Sequence, residues 1–135
     1  MLTVKLTNIS DIENLPVKID YVGETIQENN SQCDQWRITI SSKMGFNHFD
    51  YFTGLGLRSK NRPKRPRIAD VLYSLILDAS AADYNFSDWC ADYGYSDDSI
   101  KALNTYKSCL ETAQVLLKHF SPLTLRTLRE MLQDY

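Results

Sequence analysis

Histidine and cysteine are scarce in this chain, and that scarcity narrows its chemistry. Two His and three Cys stand in 135 residues. The cysteines, Cys33, Cys90 and Cys109, are odd in number, widely spaced and never paired as CxxC. That argues against a disulfide framework and fits a reducing compartment. Cys90 and Cys109 fall within apolar patterns and read as buried small hydrophobes. A thiol nucleophile needs a base beside it, and no spacing brings His48 or His119 to a cysteine. His48, next to Phe49 and Asp50, reads as a surface or packing residue of a strand.

Other signatures are absent too. There is no P-loop, HExxH or GxSxG. Gly54-Leu55-Gly56 lacks the third glycine of a dinucleotide loop and runs into a Pro-rich stretch instead of a helix. Asp88, Asp92, Asp97 and Asp98 do not follow the alternating ligand spacing of a calcium loop. The expectation is no catalytic residue, no metal and no cofactor. Long apolar runs are missing as well. The longest, Ile68 to Leu77, is broken by Asp70 and Ser74 and falls short of the roughly 20 residues of a membrane span. Met1-Leu2-Thr3-Val4-Lys5 opens no signal-like apolar core. The expected setting is cytoplasmic, with no membrane partner.

What is present describes one folded unit over residues 1–135. Hydrophobic residues make up 43% and charged residues 24%, which excludes a disordered chain. Residues 1–57 read as β-rich. Leu2, Val4 and Leu6 alternate with polar neighbours, as do Val17, Ile19 and Tyr21. The polar run Gly23 to Gln35 reads as a loop with at most one short strand. Trp36, Ile38 and Ile40 alternate again, and a turn ending at Gly45 leads to Phe46, His48, Asp50 and Phe52, a hairpin. Its second strand carries aromatics on both faces.

Residues 58–67 hold Arg58, Lys60, Arg62, Lys64, Arg65 and Arg67 with two prolines, so they form an extended basic connector. Residues 68–135 read as helical. Ile68, Val71, Leu72, Leu75 and Ile76 give an amphipathic stripe, with the helix running to about Ala82. A short helix covers Phe86 to Tyr93, with Ser87 as a candidate cap and Gly94 as its stop. Ser96 is expected to open a long helix with Asp97 and Asp98 in its first turn. Its stripe runs Ile100, Leu103, Tyr106 or Lys107, Leu110, Ala113 or Gln114, Leu117. Ser121-Pro122 starts a last helix that buries Leu123, Leu125, Leu128, Met131 and Leu132. The class is α+β: an N-terminal antiparallel sheet of three to four strands and a C-terminal pack of three to four helices.

The net charge of −2 conceals a partition. Residues 1–57 carry four cations against seven acids, residues 58–67 six cations and no acid, and residues 68–135 five cations against ten acids. The basic strap is suited to a phosphate backbone or an acidic protein surface; it also reads as a solvated loop facing the acidic helices. Asp83, Asp88, Asp92, Asp97 and Asp98 are interleaved with Tyr84, Phe86, Trp89, Tyr93 and Tyr95. This acidic-aromatic stretch reads as a phosphate-track mimic for a basic groove, or as helix caps over core rings. Aromatic side chains beside charge are typical of binding hot spots.

The segment Trp36 to Leu57, ending Phe49-Asp50-Tyr51-Phe52-Thr53-Gly54, resembles a strand followed by Tyr-Tyr-Thr-Gly in small proteins carried by bacteriophages and prophages. Ala69-Asp70-Val71-Leu72 through Asp78-Ala79, Phe86-Ser87-Asp88-Trp89-Cys90, Tyr93-Gly94-Tyr95, Asp98-Ser99, Lys101-Ala102, Tyr106 and Cys109 resemble the body of the same group. The resemblance spans about residues 36–120, and the shared motifs are structural. The strap carries more cations than the group's pattern. These motifs carry no activity of their own; small size, acidity and a phage-borne type point to a bacterial host cell and an anti-CRISPR type of inhibitor. Such a protein would bind a CRISPR effector nuclease or surveillance complex and block nucleic-acid loading or cleavage without catalysis. The binding residues would be Asp83, Tyr84, Asp88, Asp92, Tyr95, Asp97 and Asp98 on the acidic side. The six strap cations would hold an acidic patch, guide RNA or DNA. The alternative is a nucleic-acid-binding accessory protein of phage or mobile-element DNA metabolism, with Phe46, Phe49 and Tyr51 stacking bases. A small nuclease is the third reading. Monomer and homodimer both stay open.

Overall fold

A computed structural model describes residues 6–133. The fold is α+β, with the sheet N-terminal and the helices C-terminal. The strand expected at Leu2–Thr7 lies mostly outside the described residues, and Leu6 and Thr7 themselves are not in a strand. A 3-10 turn at Ile9–Asn14 comes first, stapled by Asp11, whose carboxylate accepts the backbone N–H groups of Thr7 at 2.8 Å and Asn8 at 3.0 Å.

Three strands follow: β1 (Val17–Ile26), β2 (Gln32–Ser42) and β3 (Gly45–Gly54), antiparallel in the order β1-β2-β3. Val17, Ile19, Trp36, Ile38 and Ile40 lie on one face and are buried. Phe46, His48, Asp50 and Phe52 occupy alternate positions of β3 on the other face, where all four are exposed. Phe49 and Tyr51 are half-buried among the core-facing positions. The aromatic faces of the hairpin are therefore unequal, and Phe46, Phe49 and Tyr51 do not form one stacking surface.

The polar run Gly23 to Gln35 is not a loop, as expected, but mostly strand. Only Gln27 to Ser31 connect β1 and β2. A bulge between Tyr21 and Gly23 shifts the register, so that Tyr21 pairs with Trp36 but Glu24 pairs with Asp34. Gly23 takes φ 145° there, which a side chain would resist. The extra residue returns Glu24 to the face occupied by Tyr21. At the second hairpin, Lys43 and Met44 turn between Ser42 and Gly45, and Gly45 has φ 104°. That positive φ is the reason a glycine stands there.

The α-helices among the described residues are α1 (Ile68–Ala79), α2 (Phe86–Tyr93), α3 (Ile100–His119) and α4 (Pro122–Met131). α1 runs into a 3-10 turn over Ser80–Asp83. It lays Val71, Leu72, Leu75 and Ile76 on the sheet side, where Leu116, Phe120, Leu128 and Leu132 complete the main core. Its first N–H groups, of Ile68 and Ala69, donate to Glu13 at 3.1 and 3.2 Å, tying the N-terminal turn to the helix start. A second core gathers Ala81, Trp89, Cys90 and Ala102 under α2.

Four helix details differ from expectation. The cap of α2 is Asn85, whose Oδ1 accepts the Asp88 N–H at 2.8 Å, two residues before Ser87. α3 starts at Ser99, whose Oγ accepts the Ala102 N–H at 3.2 Å. Asp97 and Asp98 therefore precede the helix and do not sit in its first turn. The buried face of α3 is Ala102, Thr112, Ala113, Leu116 and His119, while Ile100 is 77% exposed and Leu103 and Leu117 are also exposed. α4 begins at Ser121 and Pro122 as read, but Leu123 faces solvent. Among the described residues no helix is long and apolar enough to cross a membrane.

Candidate partner-binding surfaces

The strap is two things joined in one run of sequence. Its first cation, Arg58, is committed to the fold. Arg58 Nη2 donates to Asp34 Oδ1 at 2.7 Å and Nε donates to Asp34 Oδ2 at 3.0 Å, a bidentate pair. Nη2 also reaches Glu24 at 2.8 Å, which the β1 bulge has turned to this side. Tyr21 donates its hydroxyl to Asp34 at 2.9 Å. Asp34 is 1% exposed, so both its oxygens are satisfied inside the protein. The Arg58 hydrogen bonds hold its carboxyl below the usual carboxylate range against the opposing effect of burial, and the same pair raises the Arg58 guanidinium. Arg58 thus anchors the start of the strap to the sheet.

Beyond it the chain turns at Lys60 and Asn61, both at positive φ, closed by a bridge between Ser59 and Arg62. Lys60, Arg62, Lys64 and Arg65 are exposed, and among the described residues none of them joins an ion pair. Arg67 is engaged with Asp70, by its guanidinium at 3.5 Å and its backbone N–H at 3.0 Å. The strap and α1 wall a groove of about 690 Å³, with Tyr51 and Tyr73 among its lining.

The acidic-aromatic stretch divides in the same way. Asp83 pairs with Arg129 at 3.4 Å. Asp88 is part of the α2 cap, accepting from Asn85 Nδ2 at 3.1 Å. Asp98 accepts from the Ser96 hydroxyl. Asp92 and Asp97 are exposed without an ion-pair partner among the described residues. The rings stand on Trp89, which is buried. Tyr95 stacks on it at 5.1 Å and 8° between planes, and Tyr93 leans against it at 5.4 Å. Tyr93 remains 53% exposed, and Tyr84 and Tyr95 are exposed at their margins. Gly94 at φ 74° ends α2 and lets the chain fold Tyr95 back over Trp89. Burial and the nearby Asp97 carboxylate push the Cys90 thiol up, so it is held as the thiol below this surface.

One constellation has no counterpart in the sequence reading. His119, at the end of α3, is fully buried between Ser42 and Asn47 of the β2-β3 hairpin. Its Nε2 lies 2.7 Å from Asn47 Oδ1 and its Nδ1 lies 2.6 Å from Ser42 Oγ. A carbonyl oxygen only accepts, so Nε2 carries the proton and the Ser42 hydroxyl donates to Nδ1. The Met44 N–H donates in turn to Ser42 Oγ at 3.1 Å. Burial first, and the Lys118 charge second, lower the His119 pKa and keep the ring neutral. Both ring nitrogens of His119 are hydrogen-bonded, so the trio is a clamp between hairpin and helix. His48 is exposed and bonds Thr39 at 2.9 Å. No group of three or more His, Cys, Asp or Glu among the described residues is placed to hold a metal ion. Compared with known proteins, the chain matches no family model, no curated protein and no solved structure.

Proposed function

We propose that this chain is a non-catalytic inhibitor of the anti-CRISPR type. It acts in the cytoplasm of a bacterial host by docking on a CRISPR effector nuclease or surveillance complex and blocking nucleic-acid loading or cleavage. The observation that carries this reading is the acidic-aromatic surface. Asp92 and Asp97 are exposed, with no ion-pair partner among the described residues, and they flank Tyr93 and Tyr95, whose rings rest on the buried Trp89. A pre-ordered aromatic patch with carboxylates around it suits a basic channel, because little side-chain freedom is lost on docking. Asp83, Asp88 and Asp98, with their internal partners, shape the surface and contribute less to the contact.

The test is retention of a partner. A tagged chain expressed in a bacterium with an active CRISPR system should hold an effector subunit through a moderate salt wash and through nuclease treatment. The variant Asp92→Asn/Asp97→Asn/Tyr93→Ser should lose it. Retention by the variant would remove this surface from the mechanism.

A second reading, a nucleic-acid-binding accessory protein, draws on the four exposed cations Lys60, Arg62, Lys64 and Arg65. Gel-shift titration with single- and double-stranded DNA and RNA decides it. No binding at low salt ends that reading.

A further inference from the structure

The two edges of the sheet are built differently. β1 carries the Tyr21/Gly23 bulge and Lys18, both devices that discourage another strand from pairing. β3 has neither. Its ten residues pair with β2 without a break and contain no proline, lysine or arginine. Among the described residues no strand lies on its other side. It is also the less covered edge. On the core face Val17 and Ile19 of β1 are each 6% exposed, whereas Phe49 and Tyr51 of β3 are only half-buried. Backbone geometry fixes which groups this edge offers. Ser42 and Gly45 close a two-residue turn and so exchange backbone bonds. Alternate pairs along the ladder do the same, so Asn47, Phe49, Tyr51 and Thr53 spend their N–H and C=O groups on β2. Those of Phe46, His48, Asp50 and Phe52 point away from the sheet. The Ser41 N–H, which donates to Pro16 on the β1 side, agrees with this phase.

We propose that β3 pairs antiparallel with β3 of a second copy about a two-fold axis at Phe49, so that two three-stranded sheets join into one of six strands. An interface of this symmetry must be self-complementary, and this edge is. With the axis at Phe49, Phe46 stands opposite Phe52 of the second copy and His48 opposite its Asp50, and the symmetry repeats both pairs. Each pair exchanges two backbone hydrogen bonds through groups that already point outward. Aromatic pairs and carboxylate–imidazole pairs are both favourable across strands. His48 Nδ1 lies 2.9 Å from the Thr39 hydroxyl and Asp50 Oδ1 accepts from Gln35 at 3.3 Å. With Nδ1 accepting, Nε2 carries the ring proton and is a donor for the carboxylate of the second copy. Neither His48 Nε2 nor Asp50 Oδ2 has a hydrogen bond among the described residues. Neighbouring registers are poorer. An axis at Asp50 sets two carboxylates face to face, and an axis at His48 sets Phe46 against Asp50. The Phe49 rings, left half-buried in one copy, come side by side at the axis.

This pairing depends on neither functional reading above. Sedimentation velocity over a rising concentration series of the parent should show the mass double from the 15.6 kDa of one chain. Asp50→Lys sets an ammonium against the imidazole of the second copy. It should weaken the dimer about tenfold or more, since two cross-strand pairs turn unfavourable. The exchange His48→Asp/Asp50→Lys restores opposite partners and should return the dimer. Circular dichroism checks the fold of each variant. Phe49→Cys reads the axis itself. Residues at a non-bonded antiparallel pair lie about 4.5 Å apart at Cα, inside the disulfide range of about 4.4–6.8 Å. Under mild oxidant this variant should form a disulfide-linked dimer, while Ile26→Cys on the β1 edge should cross-link no faster than the parent. A parent that stays monomeric at every concentration overturns the proposal and leaves the edge to a strand of some other protein. A dimer indifferent to Asp50→Lys overturns it as well. A dimer lost in Asp50→Lys and not recovered by the exchange overturns the pairing about Phe49. The parent's mass needs no variant, so a misfolded Phe49→Cys does not protect the proposal.

Discussion

The strap and the acidic-aromatic surface carry opposite charge, yet they are built by the same division of labour. In each, some charges are used up inside the fold and others are left to solvent. Arg58 is locked to Asp34 and Glu24, while among the described residues Lys60, Arg62, Lys64 and Arg65 join no ion pair. Asp83, Asp88 and Asp98 have internal partners, while Asp92 and Asp97 have no ion-pair partner among the described residues. The two regions differ in how they are fixed. The strap hangs from a charge pair whose acid is fully enclosed at the end of the sheet. The acidic surface rests on a ring stack and helix caps over a small second core. A run of like charge in a sequence is thus a mixture, and burial sorts the anchors from the contacts.

The largest effect should come from breaking the strap's anchor. Asp34→Ala leaves the Arg58 guanidinium and the Tyr21 hydroxyl without their shared acceptor. Its thermal midpoint should fall by about 10 °C or more, because removing one partner of an enclosed pair strands the other. Lys64→Ala/Arg65→Ala should stay within about 2 °C of the parent, as exposed substitutions do. Similar losses in the two variants would erase the distinction between anchor and contact. Acid titration sharpens it. The Asp34 pKa is lowered in the fold, so its contribution is present above the unfolded value of 3.8 and is lost as pH falls through the folded value.

The His119 clamp comes next. His119→Gln should cost about 1–3 kcal/mol in urea unfolding, from polar groups left poorly paired. The folded pKa of His119 is also lowered, so its contribution is complete above the unfolded 6.5 and declines as pH falls toward the folded value. Parent stability should therefore drop below about pH 6.5, and the variant should be flatter there. This loss precedes that of Asp34, which separates the two by pH. Parallel curves for parent and variant would count against a neutral, buried ring.

A smaller effect tests where α3 begins. Ser99→Ala should cost about 1 kcal/mol, the value of a helix cap. Ser96→Ala should cost less, because the Ser96 hydroxyl donates to the exposed Asp98 and caps no backbone N–H among the described residues. The reverse order would return the helix start to Ser96.

Much of the fold was legible because its signals are local. The alternation at Val17–Tyr21 and Trp36–Ile40, the apolar stripe of α1, Gly94 and Ser121-Pro122 each act within a few residues. The misreadings share a cause. Gly23 to Gln35 reads as loop because it is polar, but a two-sided sheet end needs few apolar residues, and Asp34 is enclosed by partners far along the chain. The face of α3 was misplaced because Ile100, Leu103 and Leu117 are apolar but exposed, while Thr112 and His119 are buried with hydrogen bonds. Among the site residues, the exposed strap and the acidic stretch were visible as charge runs. Arg58's anchoring, the Glu13 contact with α1 and the Ser42–His119–Asn47 clamp span 24 to 77 positions, and no spacing rule reaches that far.

The measurement that tests the account most directly separates the two surfaces in one experiment. Effector retention and oligonucleotide anisotropy are read side by side for the parent, for Asp92→Asn/Asp97→Asn/Tyr93→Ser and for Lys60→Ala/Arg62→Ala/Lys64→Ala/Arg65→Ala. The account predicts that the acidic-surface variant loses the effector and keeps the oligonucleotide, and that the strap variant does the opposite. Loss of both ligands in one well-folded variant, or of neither in both, would contradict it.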